Sequence, residues 1–276
     1  GVDLQQDKNA VEQFQLEDWV SKRLKHDNLM QCYPHNTEKK YLFQCYEYLQ
    51  GETLAQWLHR QEKPLNLDEI LPILQQTALA LNAMHRLEML HQDIRPKNIM
   101  VINAENAMKI KLIDYGSTAV RGLVEINPKN ANRALGTLAF MAPEYFIDHS
   151  PSVHSDQFSL AVMAYYLFTK QLPYGTDLAR CNSLKQMKKV QYHSIRKYRP
   201  DLPIWLDKIL GQALSIEPIH RFEALSELIH NLMHPSKELL NSKPPAIIER
   251  DPLRFWQMSC AVLGLLFLLS IAWPFI

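Results

Sequence analysis

His91, Asp93 and Asn98 fall within one stretch, His91-Gln92-Asp93-Ile94-Arg95-Pro96-Lys97-Asn98, and an Asp114-Tyr115-Gly116 triplet begins sixteen residues after Asn98. Two carboxylates and a side-chain amide make an oxygen-donor set, which suits a hard cation such as Mg²⁺ better than zinc or copper. Phosphoryl transfer requires such a set. Little covalent work falls to the protein there, so one Asp accepts the proton of the attacking hydroxyl while an Asn and a second Asp hold Mg²⁺ against nucleotide phosphates. A single Asp in a loop is ordinarily a turn former. The ordered combination is what points to chemistry.

The first stretch resembles the H-R-D-x-x-x-x-N loop of protein kinases, Asp114-Tyr115-Gly116 resembles their D-F-G, and Ala142-Pro143-Glu144 resembles the A-P-E that closes their activation segment. The resemblance implies Asp93 as the base, Asn98 and Asp114 as Mg²⁺ ligands, and ATP as the phosphoryl donor. It also implies Arg95 as the cation facing the transferred group. Most Ser/Thr kinases carry Lys there; Arg95 keeps the charge but changes the geometry. His91 is expected to be a packed structural residue, and Tyr115, in the place of Phe, adds a hydroxyl that needs a partner. Further along, the resemblance implies that Thr137 helps the base face the substrate. Asp156 is expected to bond the catalytic-loop backbone, and Arg221 to pair with Glu144. Gln92 replaces the Arg that would receive a phosphorylated activation loop, so control by loop phosphorylation is not expected.

These loops need a scaffold. Glu17, nine residues before His26, matches the helix-borne Glu that pairs with a strand Lys holding nucleotide phosphates, with Glu12 as its rival. Lys8 is too near to be that strand Lys, and the chain has no G-x-G-x-x-G. The expectation is a fragment whose Gly-rich loop and strand Lys lie upstream, inactive by itself. Residues 41–49 (YLFQCYEYL) read as a strand running into a hinge. By resemblance Tyr46 is the gatekeeper, and the backbone of Glu47 and Leu49 bonds adenine; the plainer alternative is that Tyr46 and Tyr48 are core aromatics. Thr53 with Gln56, and Asn66 with Glu69, form capping boxes that open a helix over Leu54–Arg60 and a longer one ending near Met84. Ile70, Leu74, Leu81 and Met84 lie on one face of the longer helix, and Pro72 interrupts its bonding. Strands at Met89–Leu90, Ile99–Ile102 and Met108–Ile113 bracket the two acidic signatures. The basic run from Lys185 to Arg199 reads as a solvated face.

With 276 residues, 47% apolar and 21% charged, the chain can bury a full core. A net charge of +1 gives no electrostatic case for nucleic acid. Cys32, Cys45, Cys181 and Cys260 lack metal-site or C-x-x-C spacing and read as reduced thiols of a cytosolic domain. Residues 1–10 have no signal-peptide pattern. Residues 258–276 carry no charge and would span about 28 Å as a helix, enough to cross a bilayer. Trp256 and Trp273 near its ends, and Lys243, Arg250 and Arg254 before it, place the kinase side in the cytoplasm.

The fold class expected is α+β: a two-lobed, protein-kinase-like fold with an incomplete N-lobe, a mostly helical C-lobe and a C-terminal transmembrane helix. Residues 1–50 would be the N-lobe remainder, 51–235 the C-lobe, 236–254 a linker and 255–276 the membrane helix. The expected function is a membrane-tethered Ser/Thr protein kinase acting on protein hydroxyls. Residues 90–96 and 252–256 resemble bacterial proteins that join a metal-dependent phosphatase to a C-terminal kinase, which implies a phosphatase region in the same polypeptide. The alternatives are a pseudokinase scaffold and an aminoglycoside-type phosphotransferase.

Overall fold

The computed structural model describes residues 8–34, 42–104, 107–120, 138–147, 150–241 and 252–272. It divides into two units, Gly1–Ser236 and Lys237–Ile276. The first begins with helix α1, Lys8–Arg23, whose Val20 is fully buried. Strands β1 (Cys32–Tyr33) and β2 (Cys45–Tyr46) pair antiparallel, Cys32 opposite Tyr46 and Tyr33 opposite Cys45. Of the stretch 41–49 read as a strand, the described residues 42–49 hold strand only at Cys45–Tyr46, the two residues that face β1 in the ladder.

Strand β3, Glu52–Thr53, joins a three-stranded antiparallel sheet with β5 (Ile99–Ala104) and β6 (Ala107–Leu112), in the order β3-β5-β6. Gly51 precedes it at a close approach: a Cβ there would collide with the Val101 carbonyl oxygen. Both capping boxes form. Thr53 and Gln56 open α2, Leu54–Arg60, and Asn66 and Glu69 open α3, Leu67–His85. Such a cap contributes about 1 kcal/mol by satisfying amides that the first turn leaves unpaired. The helix continues through Pro72, and Ile70, Leu74, Leu81 and Met84 are all buried at 0–1% exposure. At about 1.5–3 kcal/mol per fully buried large apolar side chain, this face anchors the helix to the rest of the unit.

Strand β4, Met89–Leu90, pairs with β7, Ala119–Val120, so the two acidic loops emerge beside one another. Helix α4, Val153–Thr169, buries thirteen of its seventeen residues and forms the centre of the helical part. Helices α5 (Leu184–Met187), α6 (Ile204–Ala213) and α7 (Leu225–Met233) follow. The run from Lys185 to Arg199 departs from a solvated face at its end. Arg199 donates to the carbonyls of Leu65 and Phe168, 3.0 Å each, and only 14% of its side chain is exposed. Carbonyls left over at the ends of other segments capture it.

The second unit contains α8, Lys237–Leu240, and α9, Pro252–Ala272. Among the described residues no helix is long and apolar enough to cross a membrane. Side chains of α9 are described only as far as Gly264, so the proposed span over 258–276, with Trp273, runs beyond them, as do Lys243 and Arg250.

Candidate active site

The loop after β4 carries His91, Gln92 and Asp93 and is held from below by α4. Asp156, fully buried, accepts the backbone amides of His91 (3.0 Å) and Gln92 (2.9 Å) and lies 2.9 Å from His85 Nε2. Burial works to raise the Asp156 pKa. The His85 hydrogen bond, the electrostatic influence of His85 and His91 and the Gln92 amide outweigh it, and the carboxyl falls below its usual range. Gln92 needs this grip, since its φ of 66° lies in the left-handed region that non-glycine residues occupy at a cost. His91 is wholly buried, and desolvation lowers its pKa despite three nearby carboxylates. Its Nδ1 accepts the Asp93 amide at 3.3 Å.

Asp93 and Asn98 are brought into direct contact. Asn98 Nδ2 donates to the Asp93 backbone carbonyl and to Asp93 Oδ2, both at 2.8 Å, and Arg95 Nε stands 4.0 Å from the same carboxylate oxygen. A short turn, Pro96–Asn98, brings the amide back under the loop, and Ile113 N donates to the Asn98 carbonyl at 2.9 Å. Asp114 then follows with φ 68° and an exposed side chain, its Oδ1 accepting the Gly116 amide at 3.2 Å. Tyr115 is buried, and its hydroxyl donates to the Met30 carbonyl at 2.9 Å, which supplies the partner the sequence demanded.

Helix α1 reaches this site. Gln13 Nε2 donates to the Gly116 carbonyl at 2.9 Å, and a Cβ on Gly116 would sit 3.4 Å from Glu17 Oε2. Among the described residues Glu17 pairs with no Lys or Arg; its Oε1 lies 3.2 Å from the Tyr46 hydroxyl, which also approaches Gln44 Oε1 at 2.5 Å. Burial raises the Glu17 pKa most, the Tyr46 hydroxyl opposes it, and the Asp114 charge adds to it. Burial also raises the Tyr46 pKa. Glu47 and Leu49 follow β2, and the Glu47 amide donates to the Gln31 carbonyl at 2.9 Å.

Away from the loops, Glu144 and Arg221 meet. Arg221 donates through Nη1 and Nη2 to the two Glu144 oxygens, 2.8 Å each, and Ser155 Oγ donates to Glu144 Oε1 at 2.7 Å. Thr137 lies outside the described residues. Sequence reasoning missed His85, Gln13, Ser155 and Lys111. The one available signal was a charged Lys111 between the apolar Ile110 and Leu112 of a strand.

The donors fit a hard cation. Asn98 turns its NH₂ to Asp93, which leaves Oδ1 as the atom able to face a metal, and Asp114 is exposed 16 residues away in sequence. Mg²⁺ commonly takes such a pair with waters completing the octahedron. Among the described residues no group of three or more His, Cys, Asp or Glu is placed to hold a metal ion.

The profile of the protein kinase domain family matches residues 2–235. The chain belongs to that family. This kinase chain is 25% identical to the serine/threonine-protein kinase PrkC of Bacillus subtilis over 226 residues, covering 82% of the chain and 34% of PrkC. To the serine/threonine-protein kinase pkn3 of Myxococcus xanthus it is 30% identical over 221 residues, 78% of the chain and 40% of the relative. It therefore spans well under half the length of these relatives. In fold it is similar to the crystal structure of the Mycobacterium tuberculosis PknI kinase domain, with TM-score 0.64, 24% identity and coverage of 86% of this chain and 83% of that one. The twitchin kinase region of C. elegans gives TM-score 0.65 at 22% identity, over 86% of this chain and 40% of that one.

Proposed function

We propose that this chain transfers the γ-phosphoryl group of ATP to Ser or Thr hydroxyls of protein substrates. The observation that carries the reading is the contact of Asn98 Nδ2 with both the carbonyl and the carboxylate of Asp93. It fixes the orientation of the Asp93 carboxylate, which can accept a hydroxyl proton as the oxygen attacks phosphorus. Arg95 stands beside that carboxylate and can face the charge on the transferred group. Mg²⁺, when bound, neutralises charge on the nucleotide phosphates, and Asn98 and Asp114 are the residues that would hold it. Tyr46, Glu47 and Leu49 would frame the adenine, with Glu17 behind them.

Support for a protein substrate comes from the relatives, which are named as serine/threonine-protein kinases. The buried Glu144–Arg221 pair and Asp156 speak against an aminoglycoside-type phosphotransferase, whose resemblance stops at the H-x-D-x-x-x-x-N loop. A second reading, a pseudokinase scaffold, has one observation in its favour: Glu17 meets the Tyr46 hydroxyl and, among the described residues, no cation.

Two further parts of the proposal rest on sequence. The uncharged residues 258–276 support a membrane tether, since nineteen residues at about 1.5 Å each would span about 28 Å as a helix, and Lys243, Arg250 and Arg254 before them support a cytoplasmic kinase side. The resemblance of residues 90–96 and 252–256 supports a phosphatase region in the same polypeptide.

The test is transfer of labelled phosphate from ATP to a generic Ser/Thr protein by the full polypeptide as its gene encodes it. Asp93→Asn should lower turnover by about 10² to 10⁴ while nucleotide binding persists, the range for a lost general base. Nucleotide binding without any transfer would favour the scaffold, and equal loss of affinity and turnover in Asp93→Asn would make Asp93 structural.

A further inference from the structure

Lys111 is a charge in an apolar place. It lies on β6 between Ile110 and Leu112, both fully buried, and is itself 8% exposed. Its Nζ reaches the Glu47 carboxylate and donates to the Leu29 carbonyl at 3.1 Å. Burying an ion pair contributes little net stability compared with an apolar pair of the same volume. Its value lies in the geometry that it enforces.

That geometry is specific. Three segments meet at Lys111: β6, the stretch Asn28–Gln31 after α1, and Glu47 at the end of β2. The stretch after α1 is zippered to β6 by Leu112 N to Asn28 O at 2.8 Å, Met30 N to Leu112 O at 3.0 Å and Asn28 Nδ2 to Ile110 O at 2.9 Å. Glu47 is bound to the same stretch, since its Oε1 accepts the Gln31 amide at 2.7 Å and its own amide donates to the Gln31 carbonyl. The Lys111 ammonium closes the ring between them. Beyond Glu47 the chain leaves cover at once, and Tyr48 is 91% exposed. The Lys111–Glu47 pair is thus a side-chain anchor at the start of the hinge, where Tyr48 is exposed and Leu49 half-buried.

We propose that Lys111 is a positioning residue that sets nucleotide affinity by fixing the hinge through Glu47. The inference rests on the nucleotide-binding reading of the site. A hinge held in one conformation before binding loses less entropy when a nucleotide engages its backbone, and that saving appears as affinity. An interaction present equally in the ground and transition states shifts KM and leaves kcat nearly alone.

The experiment uses the full chain and three variants, Lys111→Met, Lys111→Arg and Glu47→Gln, with fluorescent nucleotide plus Mg²⁺, ATP kinetics and backbone hydrogen exchange. Lys111→Met should weaken nucleotide binding and raise KM for ATP about tenfold, with a much smaller change in kcat. In the nucleotide-free protein, exchange should quicken at the amides of residues 47–50 and not in the buried helix α4. Lys111→Arg should recover most of the affinity, and Glu47→Gln should reproduce the loss. Adding Lys111→Met to Glu47→Gln should then cost little more, because the two act as one unit. Wild-type binding and exchange in Lys111→Met would overturn the inference while leaving the kinase reading intact. A uniform rise in exchange throughout the unit would reduce Lys111 to a stability residue. If Lys111→Met does not fold, unchanged affinity and exchange in Glu47→Gln overturn the proposal instead. A wild-type chain that binds no nucleotide removes the kinase reading, and this inference with it.

Discussion

Arg221 holds Glu144 by two parallel 2.8 Å hydrogen bonds, with its side chain at 0% and the Glu144 side chain at 2% exposure. The remaining guanidinium donors are also engaged, by the carbonyls of His154, Ser215 and Ile216, and the Phe158 ring lies under the plane at 4.8 Å. One side chain therefore ties the segment around Glu144 to the start of α4 and to the loop before α7.

Arg221→Met removes the cation and strands the Glu144 carboxylate, which should cost about 3–5 kcal/mol of unfolding free energy. Urea denaturation measures it. Restoring neutrality with Glu144→Gln in the same chain should recover part of the loss. A cost under about 1 kcal/mol, the value of a surface pair, would show that water reaches the site.

Asp114→Asn is the informative change at the second acidic loop, because Asn tolerates the left-handed φ of 68° better than Ala would. Loss of the carboxylate should abolish the Mg²⁺ dependence of nucleotide binding, with an effect larger than that of Asp93→Asn. Metal titration followed by nucleotide fluorescence decides it. An unchanged Mg²⁺ dependence would remove Asp114 from the ligand set.

Glu17 makes a prediction about pH. Its pKa is raised in the folded chain, so folding takes up a proton as the pH passes between the unfolded value of 4.5 and the higher folded value. The resulting penalty is absent below 4.5, grows through that window and is complete above the folded pKa. Glu17→Gln should accordingly melt higher than the wild type near neutral pH, with the gap closing below 4.5. A gap of constant size across the titration would assign the effect to packing.

The membrane proposal is tested by fractionation. The full chain should sediment with membranes and resist alkaline extraction, and truncation after Arg254 should release it. Insertion of one Asp or Arg at the centre of residues 258–276 costs about 2.5–3.5 kcal/mol on insertion scales and should weaken the attachment. Alkaline release of the full chain would make the segment a packed or surface helix. Digestion of the kinase region by protease added outside intact spheroplasts would reverse the topology.

What the sequence made legible follows from how local the signal is. Thr53 with Gln56 and Asn66 with Glu69 each specify a helix start within four residues, and both helices begin where those pairs require. The pairing of Glu144 with Arg221, 77 residues apart, was legible only through resemblance. His85 carries no local mark of its bond to Asp156, and Arg199 none of its capture by Leu65 and Phe168, because those partners arrive from distant segments. The aromatic run before Glu47 promised a long strand. Strand length is set by the neighbour, and the described neighbour is Cys32–Tyr33.

The hydroxyl of Tyr115 has one more consequence. Bound to the Met30 carbonyl at 2.9 Å and near the Leu112 carbonyl at 3.3 Å, it ties the aromatic side chain into its buried seat. Swinging the ring out of its buried seat would break that bond and leave the carbonyl to find water, a difference of about 0.5–1.5 kcal/mol that a Phe would not feel. Any outward population would thereby be reduced roughly two- to tenfold relative to Phe. Ligands that need the seat vacated must supply that difference from their own binding energy, so this chain should discriminate against them more strongly than its Tyr115→Phe variant.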